Sequence, residues 1–112
     1  MTVALFGYGT LKMGIEPPLT VQNWQPDIIR GDMFDHGQYP VAINIGKSQY
    51  GRIHGDVLYI SADELPKLDR REGPLFRRIR TTTFSGVPVY VYEYRRAIPP
   101  KSPQIDNWSP PL

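Results

Sequence analysis

Glycine and proline recur so often along this chain that only one stretch can form a regular helix. The 112 residues include 10 glycines and 12 prolines, and Gly14, Pro17 and Pro18 exclude a regular helix near the N-terminus. Elsewhere the glycines divide the chain into short segments, which is typical of strands joined by tight turns. The sequence therefore favours a mostly β domain.

Six segments have the composition of short strands. They are 3–6, 27–34, 40–45, 53–60, 77–84 and 87–94. We expect the last two to form a hairpin around Ser85 and Gly86. The only predicted helix lies between Ser61 and Gly73. Ser61 or Asp63 can cap it, Pro66 fits its first turn, and Gly73 can end it.

Five or six short strands remove their exposed edges most simply by closing on themselves. The predicted fold class is therefore α+β: a small mixed β-barrel with one main helix after the fourth strand. The length and the 40% hydrophobic content suffice for one core. We expect a single domain over residues 1–112, with a proline-rich tail at about 97–112.

Composition also limits the cellular context and the chemistry. The chain has no cysteine, which excludes disulfides, thiolate metal sites and a cysteine nucleophile. No apolar stretch approaches the roughly 20 residues that span a bilayer, and the N-terminus lacks the positive region of a signal peptide. We expect a soluble, cytoplasmic protein without a membrane partner.

Basic residues are concentrated in one segment. Residues 70–101 hold eight arginines or lysines against Glu72 and Glu93, and the tyrosines at 90, 92 and 94 could offer a stacking surface for nucleic acid. Outward positions of antiparallel strands explain these charges more simply, so no nucleic-acid partner is predicted. Trp24, Trp108 and the tail could cover a second copy, which leaves a homodimer open.

Glu72 is the best candidate for a catalytic group. Leu65, Leu68, Asp69 and Glu72 fall at i, i+3, i+4 and i+7 of the helix, so Glu72 shares the face of the two leucines. Desolvation there, and the negative end of the helix dipole, should raise its pKa above the ordinary value of about 4.3. A proton shuttle is one interpretation. The other is a structural ion pair with one of the neighbouring arginines, at 70, 71, 77 or 78.

A glycine-containing turn follows the first predicted strand. In Gly7-Tyr8-Gly9-Thr10-Leu11, glycines allow main-chain N–H groups to converge on an anion such as a carboxylate. The alternative is an ordinary tight turn with Tyr8 packed into the core. The histidines at 36 and 54 and the acids at 32 and 35 have no spacing typical of a metal site, so neither a metal nor a cofactor is predicted.

Several motifs occur together in a characteristic order. They are Tyr8-Gly9-Thr10-Leu11-Lys12, Gly31-Asp-Met-Phe, Tyr39-Pro40, Gly55-Asp-Val-Leu-Tyr, Leu68-Asp69-Arg-Arg-Glu72-Gly73 and Phe76-Arg-Arg78. In order and spacing they resemble the gamma-glutamylcyclotransferase family, which includes gamma-glutamylamine cyclotransferases and AIG2-like proteins. The resemblance covers about residues 3–94 and implies a small mixed β-barrel.

The resemblance also implies a reaction and a site. The α-amine of a γ-glutamyl amine or peptide would attack its own γ-carbonyl and release 5-oxoproline without a cofactor. Tyr8, Gly9, Thr10 and Leu11 would bind the amino-acid end of this small-molecule substrate, and Glu72 would be the catalytic acid and base. Phe76 replaces a tyrosine found in many members, and Pro17-Pro18 replaces a helical segment. The alternative is a non-catalytic ligand-binding or protein-interaction module on the same fold.

Overall fold

The computed structural model describes residues 1–18 and 20–110. Within them the chain forms eight strands and one helix. In chain order these are β1 (Thr2–Gly7), β2 (Asn23–Arg30), β3 (Asp32–Asp35), β4 (Pro40–Ile43), β5 (Arg52–Ser61), α1 (Glu64–Glu72), β6 (Phe76–Thr82), β7 (Pro88–Tyr94) and β8 (Gln104–Ile105).

The strands form two sheets. The larger has the order β2-β5-β1-β7-β6 and the smaller the order β4-β3-β8. β1 pairs in parallel with β7, and all other pairs are antiparallel. The α+β class and the mixed sheet are confirmed. The sheets are not closed, so two packed sheets describe the molecule better than a barrel.

The predicted strand over 27–34 is wrong as a single element. The chain leaves the large sheet at Gly31, whose N–H donates to the carbonyl of Gly51 at 3.1 Å, and β3 then joins the small sheet. A Cβ atom at residue 31 would lie 2.7 Å from Cδ1 of Ile53. Glycine allows this close passage between the sheets.

The predicted helix is confirmed over Glu64–Glu72, with Pro66 in its first turn. Gly73 ends it with φ of +73°, a conformation that favours glycine. Asp63 occupies the N-cap position without a side-chain capping hydrogen bond. The hydroxyl of Ser61 instead accepts a hydrogen bond from the N–H of Asp63 at 3.3 Å.

The large sheet separates two hydrophobic clusters because neighbouring side chains on a strand point to opposite faces. On β1, Leu5 joins the cluster beneath α1, whereas Phe6 joins the cluster between the sheets. Leu65 and Leu68 bury the apolar face of α1 in the first cluster. Complete burial of such a side chain stabilises the fold by about 1.5–3 kcal/mol, and this packing fixes the orientation of α1.

The described part of the proline-rich tail is wrapped along the body. β8 pairs with β3, and Trp108 is buried in the cluster between the sheets. Residues 111 and 112 of the predicted tail lie outside the described residues. No helix in the described ranges is both long and apolar enough to cross a membrane.

Candidate active site

A cavity of about 430 Å³ lies where the end of α1 meets the loop after β1. Residues 7–11 form one wall, and Arg71 and Glu72 approach from α1. Residues 38–40, which lead into β4, and residues 75–76, which lead into β6, form further parts of the lining, together with Phe6, Glu16 and Tyr92. The cavity therefore contains all five residues predicted from the sequence: Tyr8, Gly9, Thr10, Leu11 and Glu72.

The loop after β1 is held in a compact shape. A Cβ atom at Gly7 would lie 2.8 Å from the main-chain oxygen of Leu11, and one at Gly9 would lie 2.8 Å from Cγ of Pro40. Both glycines therefore allow close approaches that a larger residue would prevent. The loop closes with a hydrogen bond of 3.0 Å from the N–H of Lys12 to the carbonyl of Gly9.

Three consecutive N–H groups of this loop have no acceptor within the described part of the chain. The hydrogen bonds within residues 1–18 and 20–110 do not use the N–H groups of Gly9, Thr10 or Leu11. Unpaired N–H groups beside a cavity are suited to binding an anion. Tyr8 is different, because its ring is buried and its hydroxyl donates to the carbonyl of Tyr92 at 2.5 Å. Its side chain anchors the loop.

Glu72 is the last residue of α1 and lies partly buried in the cavity wall. Burial raises its pKa, and the nearby Arg71 guanidinium opposes part of this shift. The carboxylate takes part in none of the hydrogen bonds or ion pairs found among the described residues. It is therefore a desolvated carboxylate with its lone pairs available to a ligand.

Three of the four arginines that could have neutralised Glu72 contact other acids. Arg71 pairs with Glu16 at 2.8 Å, and Arg77 pairs with the buried Glu93 at 2.6 Å. Arg78 lies 3.4 Å from Asp69. The structure thus favours the sequence interpretation of Glu72 as an available carboxylate over the structural ion pair.

Tyr92 is a site residue that the sequence did not identify. Its hydroxyl donates to Asp69 of α1 at 2.7 Å, and its ring contributes to the cavity lining. Burial, together with the hydrogen bond to Asp69, raises the pKa of Tyr92 and keeps it protonated. The alternation of tyrosines at 90, 92 and 94 indicated a shared face, but it gave no sign of this partner on the helix.

A second cavity, of about 460 Å³, lies apart from these residues and includes Asp27, His54, Asp56 and Ser85 in its lining. Asp27 accepts hydrogen bonds from the N–H of Ile28 and the hydroxyl of Ser85. Asp56 accepts one from the N–H of Met13. These carboxylates tie loops to strands. The described residues include no group of three histidines or acids arranged to hold a metal ion.

One known family matches nearly the whole length of this sequence. The family model described as "Gamma-glutamyl cyclotransferase, AIG2-like" matches residues 5–110, a span that includes every residue of the cavity. No curated protein matches this chain.

Solved structures share the fold at low sequence identity. An AIG2-like protein from Mus musculus superposes with a TM-score of 0.73 at 18% identity, covering 96% of this chain and 88% of its own. A protein from Arabidopsis thaliana gives 0.66 at 22% identity, with coverages of 88% and 72%. An uncharacterised protein from Pyrococcus horikoshii gives 0.65 at 21% identity, with coverages of 93% and 86%. At these identities the likeness concerns the fold.

Proposed function

Because the chain belongs to the gamma-glutamyl cyclotransferase, AIG2-like family, we propose that it releases 5-oxoproline from a γ-glutamyl amine or peptide. One observation carries the proposal: Glu72 and residues 9–11 line the same cavity, and neither the Glu72 carboxylate nor the N–H groups of residues 9–11 have a partner among the described residues. A base and an anion site are what ring closure of a γ-glutamyl group requires.

The free N–H groups of the loop suit the α-carboxylate of the substrate. Held there, the substrate can fold so that its α-amine meets its own γ-carbonyl beside Glu72. Holding an intramolecular nucleophile in its attack geometry contributes about 7–11 kcal/mol. The protein therefore needs few catalytic side chains beyond one that moves protons, which agrees with a reaction that uses no cofactor.

Glu72 would serve both halves of the reaction. Its ionised carboxylate takes a proton from the α-ammonium, and the resulting amine forms a bond to the γ-carbon. The protonated carboxyl then delivers this proton to the departing nitrogen. The bond from that nitrogen to the γ-carbon breaks, while the ring nitrogen loses its second proton to the same carboxylate. That proton leaves with the amine as an ammonium ion, and Glu72 is ionised again. A raised pKa brings the carboxyl closer to the pH of the medium and so favours both transfers.

The reaction is tested by mass spectrometry of 5-oxoproline after incubation with a panel of γ-glutamyl compounds. Glu72→Gln is assayed in parallel, because glutamine keeps the shape but cannot accept the proton. We expect release by the native protein and a turnover about 100-fold to 10,000-fold lower in the variant. Undiminished turnover in Glu72→Gln would remove Glu72 from the mechanism.

A non-catalytic binding module is the second candidate. Phe76 favours it, because its ring stands in the cavity wall where many members of the family carry a phenolic hydroxyl. In that case the panel would bind to the native protein, as measured by calorimetry, without any release of 5-oxoproline. The cytoplasmic location, the absence of nucleic-acid partners and the oligomeric state stay predictions.

A further inference from the structure

One part of the cavity wall is built from hydrocarbon and aromatic surface. Tyr39, Pro40, Leu75 and Phe76 line it. The ring centroids of Tyr39 and Phe76 lie 6.4 Å apart at 64°, which is the edge-to-face arrangement that aromatic pairs prefer.

These rings are supported from behind. Tyr39 stacks on His36 with centroids 5.0 Å apart and planes 9° apart, and Phe76 packs against Tyr94 at 5.4 Å. One side of each ring is therefore occupied by a neighbour. The corner between Tyr39 and Phe76 is preformed, which lowers the entropy that a ligand must overcome to bind against it.

The charges at this wall cancel each other. Apart from Glu72, the charged residues of the cavity lining are Glu16 and Arg71. Their side chains form an ion pair of 2.8 Å, and Arg71 also donates to the main-chain carbonyl of Glu16 at 3.3 Å. The guanidinium of Arg71 is thus already paired with an acid of its own chain. The negative charge of Glu16 would repel a substrate carboxylate that approached Arg71.

The order of groups along the substrate places its leaving amine at the corner between Tyr39 and Phe76. If the α-carboxylate occupies the loop and the γ-carbonyl lies beside Glu72, the substituent on the departing nitrogen extends towards the part of the lining that remains. That part is the corner of Tyr39 and Phe76, with the ion pair of Glu16 and Arg71 at its edge. This step rests on the proposed function.

We propose that this corner is the subsite for the leaving group and that it selects amines whose substituent is an uncharged aromatic or aliphatic hydrocarbon group. A second carboxylate, as in a γ-glutamyl amino acid, would lose water without gaining a free cation. A terminal ammonium would likewise lose water without gaining a free carboxylate at the corner, because Glu16 is already paired with Arg71. A hydrocarbon substituent loses only unfavourable hydration and fills the corner.

Two matched pairs of substrates test the selectivity. γ-Glutamyl-phenethylamide and γ-glutamyl-phenylalanine differ only by a carboxylate, and the γ-glutamyl amides of pentylamine and cadaverine differ only by a terminal amino group. We expect kcat/KM to favour the uncharged member of each pair by about tenfold or more. Equal rates, or a preference for either charged member, would overturn the proposal. A preference for the cadaverine amide in particular would indicate that its terminal ammonium binds against the aromatic rings.

Binding measurements test this subsite independently of the reaction. Calorimetry with Glu72→Gln, which cannot act as the base, measures the affinity of each pair without turnover. If 5-oxoproline never forms but the uncharged members still bind more tightly, the subsite stands and the proposed reaction falls. If the charged members bind as tightly as their partners, the subsite proposal fails whatever the turnover.

Variants of residues in the cavity wall test which side chains determine the selectivity. Tyr39→Ala removes one side of the corner and should lower the affinity for the phenethylamide about 5-fold to 20-fold, whereas Tyr39→Phe keeps the ring and the affinity. Glu16→Gln releases Arg71 and should improve γ-glutamyl-phenylalanine relative to the phenethylamide. An unchanged ratio in Glu16→Gln, together with unchanged affinity in Tyr39→Ala, would place the leaving group elsewhere. Melting temperatures of the variants check that each has folded.

Discussion

The hydroxyl of Tyr8 donates a hydrogen bond of 2.5 Å to the main-chain carbonyl of Tyr92. Tyr8 follows β1, Tyr92 lies on β7, and both side chains are buried. The hydroxyl of Tyr92 in turn donates to Asp69 on α1. The loop with the free N–H groups and the helix that carries Glu72 are therefore positioned through the same strand.

Removal of the Tyr8 hydroxyl should loosen this connection. Tyr8→Phe keeps the ring but leaves a buried carbonyl without this donor, so the free energy of unfolding should fall by about 1–3 kcal/mol. Urea titration measures the change. Tyr50→Phe is the matched control, since Tyr50 is 84% exposed and should change stability by less than about 0.5 kcal/mol. Equal stability of the two variants would show that the buried hydrogen bond contributes little.

Glu72 should reduce stability at neutral pH. Burial raises its pKa, against the opposing effect of Arg71, so the folded state holds the proton to a higher pH than the unfolded state. Stability therefore falls as pH rises from about 4.3, the ordinary value, through the raised pKa of the folded protein. Glutamine carries no charge. The melting temperature of Glu72→Gln should exceed that of the native protein at pH 7, and the difference should vanish towards pH 4.

Glu64→Gln provides a control of opposite sign for that experiment. Glu64 begins α1, where a negative charge interacts favourably with the helix dipole. Its replacement should lower the melting temperature slightly at pH 7. A gain in both variants would show that the effect is not specific to the burial of Glu72, and a loss in Glu72→Gln would contradict the desolvation of Glu72.

The face of α1 could be predicted because helical periodicity is local. The spacing of Leu65 and Leu68 was sufficient to place Glu72 at the core side, and Gly73 marked the helix end. Gly31 could be identified as a turn or bulge, but the change of sheet there was missed because apolar residues continue on both sides of it. Local composition does not show which sheet a strand will join, and the hydrogen bond from Gly31 to Gly51 forms only in the folded chain.

Contacts between residues that are distant in sequence also could not be predicted from local patterns. Four arginines near Glu72 made an ion pair plausible, but Arg71 instead pairs with Glu16, 55 residues away. Tyr92 meets Asp69 across 23 residues, and spacing within one strand cannot reveal such a contact. Five residues that line the cavity could thus be named in advance, whereas Tyr92 and the contacts that leave Glu72 unpaired among the described residues required the three-dimensional structure.

The tail should contribute to stability through Trp108. Its side chain is 3% exposed, and truncation to alanine should leave a cavity and lower the free energy of unfolding by about 3–5 kcal/mol. Trp24 is 46% exposed, so Trp24→Ala should cost about 1 kcal/mol or less. Chemical denaturation of both variants makes the comparison. Similar small losses would show that the tail does not pack on its own core.

Asp27 should stabilise the fold as a charged residue, in contrast to Glu72. Burial alone would raise its pKa, but hydrogen bonds from the N–H of Ile28 and the hydroxyl of Ser85 help to outweigh burial and lower the pKa of Asp27. Its contribution is therefore complete above the ordinary aspartate value of about 3.9 and is lost as pH falls through the lower pKa of the folded state.

Asp27→Asn tests that contribution. The variant loses charge-assisted hydrogen bonds, so its free energy of unfolding at pH 7 should fall by about 1–3 kcal/mol. The difference from the native protein should narrow in acid, because protonation of Asp27 removes the same charge. Asp106→Asn, on an exposed residue of the tail, should change stability by less than about 0.5 kcal/mol. A loss in Asp27→Asn that stays constant down to the acid transition would assign the effect to packing rather than to charge.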